Sequence, residues 1–319
     1  MTTTILLLIL GLVLIVVGAD ILVDGASAIA RKAGVSEFVI GLTIVGFGTS
    51  CPELVVSLNG AFKGIADISV GNVIGSNIMN ILLILGLSAL IRPIPTTMEN
   101  KRLDIPLTLL VTFLMVFLGM NRSILGLGVS DILSRVEGIV FLVLFGAYIF
   151  FCIKNDKGSQ EEEESNRNIS LWGGIGLSVA GLAALISGGQ WFVDSAVEIA
   201  SRIGVSDKFI AITVLAGGTS LPELATCVAA AIKKKGQLAL GNILGSCVFN
   251  VLFILGCSAT ITPLSFEGIN LVDMAFLILS AVLVWLSSYT FQKDRIDRIE
   301  GAVMISCFAL YYVWLFSTI

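Results

Sequence analysis

The chain has 319 residues, 56 % of them hydrophobic and 13 % charged, with a formal net charge of −4. Soluble domains carry about 25 % charged residues, and here the apolar content runs through the whole length, which excludes a soluble globular fold and defines a polytopic membrane protein. There is no histidine, which removes imidazole metal sites and histidine proton relays, while the small net charge says little about partners.

The first stretch, MTTTILLLILGLVLIVVGAD, lacks a basic leader region and runs on into further apolar sequence, so it is expected to be a first transmembrane helix and not a targeting peptide. A spanning helix needs about 20 mostly apolar residues. Reading runs between polar breaks predicts ten spans, at roughly 3–29, 38–62, 68–91, 104–120, 135–153, 171–200, 208–232, 238–261, 270–289 and 299–317. The expected fold class is therefore an all-α membrane protein.

The second span contains VGFGTSCPELVVSL, residues 45–58. Pro52 has no N–H, and its ring clashes with the carbonyl of Gly48, so the helix is expected to kink or unwind around 46–49. Freed carbonyls cannot be left bare in hydrocarbon. Pointing into a polar cavity, they become ligands. Thr49 and Glu53 are spaced i, i+4 and share one helix face. On the third span, Ser76 and Asn80 have the same spacing. Between the fifth and sixth spans, GSQEEEESNRN (158–168) reads as part of a solvated cytoplasmic linker. It lacks the glycine turn and alternating ligands of a calcium loop.

Beyond the linker the sequence repeats itself. Residues 20–93 laid on 190–263 without a gap give 31 identities in 74 positions. GTSCPEL (48–54) meets GTSLPEL (218–224), and GNVIGSNIMN (71–80) meets GNILGSCVFN (241–250). Pro222 is expected to disrupt 216–219 as Pro52 disrupts its own span. Each half holds five predicted spans, an odd number, so the second copy must cross the membrane in the opposite sense. Inverted repeats of this kind build transporters with a midplane site, typically on discontinuous helices; here those are the second, third, seventh and eighth spans. The expected organisation is a first half at 1–153, a linker at 154–170 and an inverted half at 171–319. With the N-terminus outside, cytoplasmic loops hold 14 of the 19 basic residues, Arg31, Lys101, Lys154 and Lys233 among them, so both termini are expected to be extracellular in a multi-pass cell-membrane protein.

The polar residues buried in these spans form an oxygen inventory. Glu53 and Glu223 supply carboxylates, Asn80 and Asn250 amides, and Thr49, Thr219, Ser50, Ser220, Ser76 and Ser246 hydroxyls. Ca²⁺ takes about 6–8 oxygen ligands, Na⁺ accepts the same types, and softer metals would call for Cys or His. The six cysteines show no metal-ligand spacing and read as small buried hydrophobes. Burying one carboxylate at the bilayer centre costs at least ~2.5–3.5 kcal/mol. One Ca²⁺ or two Na⁺ would cancel the pair, the two loads would compete, and either would permit the inward–outward switch. Gly71, Gly75, Gly241 and Gly245 read as packing or hinge positions, Asp24 and Asp194 as helix anchors, and Asp131 and Asp273 as loop or interfacial residues.

The paired GTS-x-PEL and GN-x-x-GS segments resemble the repeats of the sodium/calcium exchanger branch of the cation/Ca²⁺ exchanger superfamily, in particular its compact prokaryotic and archaeal members. The resemblance implies an antiporter of Na⁺ against Ca²⁺, with Glu53 and Glu223 central and Thr49 and Thr219 beside them in a Ca²⁺ site. It further implies that Ser50, Ser76, Ser220 and Ser246 line flanking Na⁺ sites with the carbonyls of Gly46 and Ala216, that Asn80 and Asn250 close the centre, and that the first and sixth spans slide as a gate. Some members carry aspartate where this chain has Asn250, which makes two central carboxylates here and not three. Asn77 is matched by Cys247. No cofactor, nucleic acid or obligatory protein partner is expected; the partners are Na⁺, Ca²⁺ and the lipid bilayer. A proton-coupled exchanger of the same superfamily is the nearest alternative, a cation channel a weaker one. An intramembrane serine enzyme lacks the base that its nucleophile would need.

Overall fold

The computed structural model describes residues 2–64, 66–126, 130–156, 158, 169–202, 216–266, 269–290 and 294–318. Nearly all of the 158–168 linker stretch and the first part of the predicted seventh span, 208–215, lie outside the described residues. In chain order the main helices are α1 (Thr2–Ala33), α2 (Glu37–Thr49), α3 (Cys51–Phe62), α4 (Ile68–Ile91), α5 (Asn100–Gly119), α6 (Arg135–Asn155), α7 (Leu171–Arg202), α8 (Leu221–Ile232), α9 (Gly236–Ile261), α10 (Leu271–Ser287) and α11 (Arg298–Ser317). Seven of these are long and apolar enough to cross a membrane, and α2 with α3 makes an eighth span bent by 48°. The remaining apolar helices, α8 and α10, are shorter.

Two expectations about helix breaks need correction. Gly46–Thr49 stays helical, and the chain turns instead at Ser50, with φ −84° and ψ 8°. Pro52 falls in the first turn of α3, where a missing N–H leaves no helix bond unmade. Ser220 repeats the geometry, with φ −89° and ψ 8°, ahead of Pro222 and α8. The third and eighth spans, α4 and α9, are not broken at all. Neither holds a proline, and the irregularity takes the form of wide π-helical turns at Met79–Leu85 and Phe249–Leu255. These turns include Asn80 and Asn250. Single-turn π segments are frequent at functional positions.

The helices sort by burial. In its most apolar stretch α9 is 94 % buried, whereas α6 and α11 are 22 % buried, so α9 forms the centre and the others face lipid. Outward-facing Leu6, Ile9, Leu10 and Val16 on α1 are largely exposed, as a lipid-bathed surface requires. Two short antiparallel pairings tie distant loops, β1 (Ile94–Pro95) with β4 (Arg295–Ile296) and β2 (Ile132–Leu133) with β3 (Leu264–Ser265). Helices α6, α10 and α11 open with capping boxes on Ser134, Asn270 and Asp297.

The longest helices, α1 and α7, pack antiparallel through glycines seven residues apart. Gly11 meets Gly188, Gly18 meets Gly181 and Gly25 meets Gly174. A β-carbon on Gly18 would stand 2.9 Å from the carbonyl oxygen of Gly181. Small residues let backbones approach in a bilayer, where dispersion and not the hydrophobic effect holds helices together. Gly18→Val is accordingly expected to destabilise the fold by about 1–3 kcal/mol through overpacking, read as a lowered thermal midpoint in detergent. Beyond α8, Lys233 Nζ lies 2.7 Å from carboxylate oxygens of both Asp20 and Asp24 on α1, so the anchoring role expected of Asp24 takes the form of an ion pair.

Candidate ion-binding site

The break at Ser50 starts α3 in the protein interior and puts Glu53 in its first turn. Glu223 occupies the same position in α8. A helix N-terminus carries partial positive charge, which favours an anion there. Both glutamates are buried, at 1 % and 0 % exposure. Each is served by the serine that precedes the opposite helix. Ser50 Oγ donates to Glu223 Oε1 at 2.9 Å, and Ser220 Oγ donates to Glu53 Oε1 at 3.1 Å. The same serines touch the next pair, Ser50 with Ser246 at 2.9 Å and Ser220 with Ser76 at 3.4 Å. Ser76 Oγ also lies 3.5 Å from Glu53 Oε1, and Ser246 Oγ lies 3.4 Å from the carbonyl oxygen of Gly46. Residues of the two sequence repeats thus form one reciprocal cluster.

The remaining predicted residues divide. Thr49 Oγ1 donates to the carbonyl of Val45 at 3.0 Å and lies 3.2 Å from Asn242 Oδ1. Thr219 Oγ1 is buried without a close hydrogen bond among the described residues, with its side chain beside the Glu53 carboxylate. Ala216 begins the short helical piece Ala216–Gly218 that leads to Ser220. Asn80 and Asn250 are buried at 1 % and 0 % exposure and form no hydrogen bond to either glutamate among the described residues. Asp131 binds Ser123 through the backbone N–H and the hydroxyl, and Asp273 accepts from Tyr311 at 2.8 Å, so both are structural.

Four acceptor oxygens in this region are buried and bound to nothing among the described residues: Glu53 Oε2, Glu223 Oε2, Asn80 Oδ1 and Asn250 Oδ1. Buried polar atoms are nearly always satisfied, and unpaired ones are costly in an apolar medium. A set of bare oxygens with two carboxylates and no nitrogen base is chemically suited to a hard cation.

Asparagines outside the predicted ligand set brace the site. Asn72 Nδ2 donates to the carbonyl of Glu53 at 3.1 Å and to Ser57 Oγ at 3.0 Å, holding the first turn of α3. Its counterpart Asn242 donates to Cys227 Sγ at 3.1 Å. Both are the Asn of the repeated GN-x-x-GS segment, and that repetition is the signal that marks them. Asn77 donates to the carbonyl of Cys247 at 3.2 Å and accepts from Asn250 at 3.0 Å.

A polytopic helical fold around a buried, oxygen-lined, doubly acidic centre is that of a membrane cation transporter. The chain belongs to the sodium/calcium exchanger protein family, which matches residues 3–154 and 173–317. It is 33 % identical over 348 aligned residues to the sodium/calcium exchanger MaX1 of Methanosarcina acetivorans, covering 99 % of each chain. Among solved structures it resembles the sodium-calcium exchanger NCX_Mj, with a TM-score of 0.84, 35 % identity and coverage of 97 % of this chain and 98 % of that one. A more distant similarity, 24 % identity over 295 residues, covers 81 % of this chain and 62 % of the vacuolar cation/proton exchanger 3 of Arabidopsis thaliana. Members of the family are membrane exchangers and not enzymes, and the fold and the relatives together support exchange of a cation against Ca²⁺.

Proposed function

We propose that the chain is a secondary active antiporter that exchanges Na⁺ for Ca²⁺ across the cell membrane by alternating access. The observation that carries this reading is the pair of buried glutamates, each with one carboxylate oxygen left without a partner among the described residues. Glu53 and Glu223 hold the load, with Thr49, Thr219, the four serines, Asn80, Asn250 and the carbonyls of Gly46 and Ala216 completing the shell. One Ca²⁺ neutralises both carboxylates, and two Na⁺ do the same. The loads share ligands and bind in turn.

Ten spans in two inverted five-span halves, 1–153 and 171–319, carry this site, joined by a cytoplasmic linker at 154–170, with both termini outside. Three observations favour an inverted repeat. The breaks at Ser50 and Ser220 have matching backbone angles. Each glutamate takes its hydroxyl from the other half. Each half also lends a strand to the loop of the other. The gate is α1 with α7, interlocked by their glycines, with α1 held to the end of α8 by Lys233. The second reading, proton coupling, is favoured by the similarity to a cation/proton exchanger.

The test uses purified protein in sodium-loaded vesicles. Dilution into sodium-free medium should drive uptake of radioactive calcium, and dissipating any pH gradient should leave it unchanged. Uptake that follows an imposed pH gradient, with no response to sodium, would select the proton-coupled reading.

A further inference from the structure

We infer that Asn77 is a positioning residue that locks the Asn250 side chain as an oxygen ligand for the transported cation. This rests on the two-glutamate reading above and concerns a residue outside that ligand set. One group in the chain of contacts has a fixed polarity: the backbone carbonyl of Cys247 can only accept. The amide end of Asn77 that stands 3.2 Å from it must therefore be the Nδ2 donor. That fixes the other end of Asn77 as Oδ1, which can only accept. Asn250, 3.0 Å away, must then offer its own Nδ2. Its Oδ1 is left on the opposite side of the amide, fully buried, with no partner among the described residues.

In the ligand set proposed above, an asparagine that shares a cation with two carboxylates has a competing choice. It can turn its N–H groups toward a glutamate oxygen, making a hydrogen bond to a charged group, which is stronger than one between neutral groups. In that orientation it would satisfy the carboxylate and hold a positive dipole end against an incoming cation. The Cys247–Asn77–Asn250 relay removes the choice, because turning Asn250 would set two oxygens against each other at Asn77. The relay joins α4 to α9, so the constraint sits on continuous helices and does not depend on the broken ones. It is also one-sided. The position matching Asn77 in the second half is Cys247, which has no amide; its thiol faces the Asn80 side chain, but a thiol can both donate and accept weakly and so fixes no amide orientation. One half of the site thus offers a fixed neutral oxygen, and the other an amide whose orientation no partner of fixed polarity dictates.

The test is calorimetric titration of Ca²⁺ into the full-length chain in sodium-free detergent. It compares the parent with Asn77→Cys, Asn250→Ala, the double variant and Glu53→Gln, with a thermal midpoint for each. Cysteine is chosen because the fold already holds one at the matching position; Asn77→Leu replaces it should the cysteine variant fail to fold. Asn77→Cys is expected to weaken Ca²⁺ binding about tenfold. The double variant is expected to bind no more weakly than Asn250→Ala alone, since Asn77 acts only through that amide. Parent-like binding by Asn77→Cys, or losses that multiply in the double variant, would overturn the relay. If Glu53→Gln loses binding while the asparagine variants keep it, the relay falls and the two-glutamate site stands. If Glu53→Gln binds Ca²⁺ like the parent, the functional reading itself falls.

Discussion

Glu53→Gln is expected to abolish sodium-driven calcium uptake while leaving the protein folded, and Glu223→Gln should do the same. Glutamine keeps the volume and one acceptor oxygen, so Ser220 can still donate to position 53. What is lost is one of two negative charges in a site that must neutralise a divalent ion. Two unit charges about 4 Å apart interact with roughly 4 kcal/mol at an effective dielectric of 20. That corresponds to about a thousandfold in affinity, beyond what rearranged neutral ligands could recover. Stability moves the other way. Removing a buried charge at membrane depth relieves a cost of at least ~2.5–3.5 kcal/mol, so the thermal midpoint of the ion-free variant should hold or rise. Loss of transport with a preserved or higher midpoint is the signature of a ligand. Loss of both would make the glutamate structural, and uptake at the parental rate would remove it from the site.

Much of this arrangement is legible in the sequence alone. The repeated PEL segments put a carboxylate beside a helix breaker twice, and the fold brings Glu53, Glu223, Ser50, Ser220, Ser76 and Ser246 into one hydrogen-bonded cluster. The location of the break is less legible, because a proline can either end a helix or start one. Pro52 starts one, and the turn falls two residues earlier, at Ser50. The π-helical turns at Met79–Leu85 and Phe249–Leu255 hold neither proline nor glycine, so no breaker residue marks them in the sequence. Asn77 is hidden for a related reason. Its partners lie 170 and 173 residues away, and one of them is a backbone carbonyl, which no side-chain pattern encodes.

Gly241→Ala is expected to be among the most disruptive single-methyl changes in the chain, against the sign that helix propensity predicts. Alanine is favoured over glycine by about 1 kcal/mol in a helix interior, and at an unhindered position that gain should appear. Gly146 on α6 is such a position, with nothing within 4 Å of an added β-carbon. Gly146→Ala should be neutral or stabilising. At Gly241 the added carbon would overlap the carbonyl oxygen of Phe38 and press on the backbone nitrogen of Leu42 at 2.9 Å. These are main-chain atoms of α2, which have no rotamer to change. Gly245 meets the backbone of Leu42 one turn on, and Gly41 on α2 meets that of Leu238, so the two helices cross with glycine on both sides. Relief requires α2 to move off α9, the most buried of the long apolar helices. Overpacking of this kind costs about 1–3 kcal/mol or more, which exceeds the propensity gain. The displacement would also stretch the contacts from Thr49 to Asn242 and from Ser50 to Ser246, so calcium affinity should fall with the midpoint. Matched thermal melts and calcium titrations on the two alanine variants supply the check: midpoints shifting in the same direction by similar amounts would mean that the crossing is looser than the backbone contacts require.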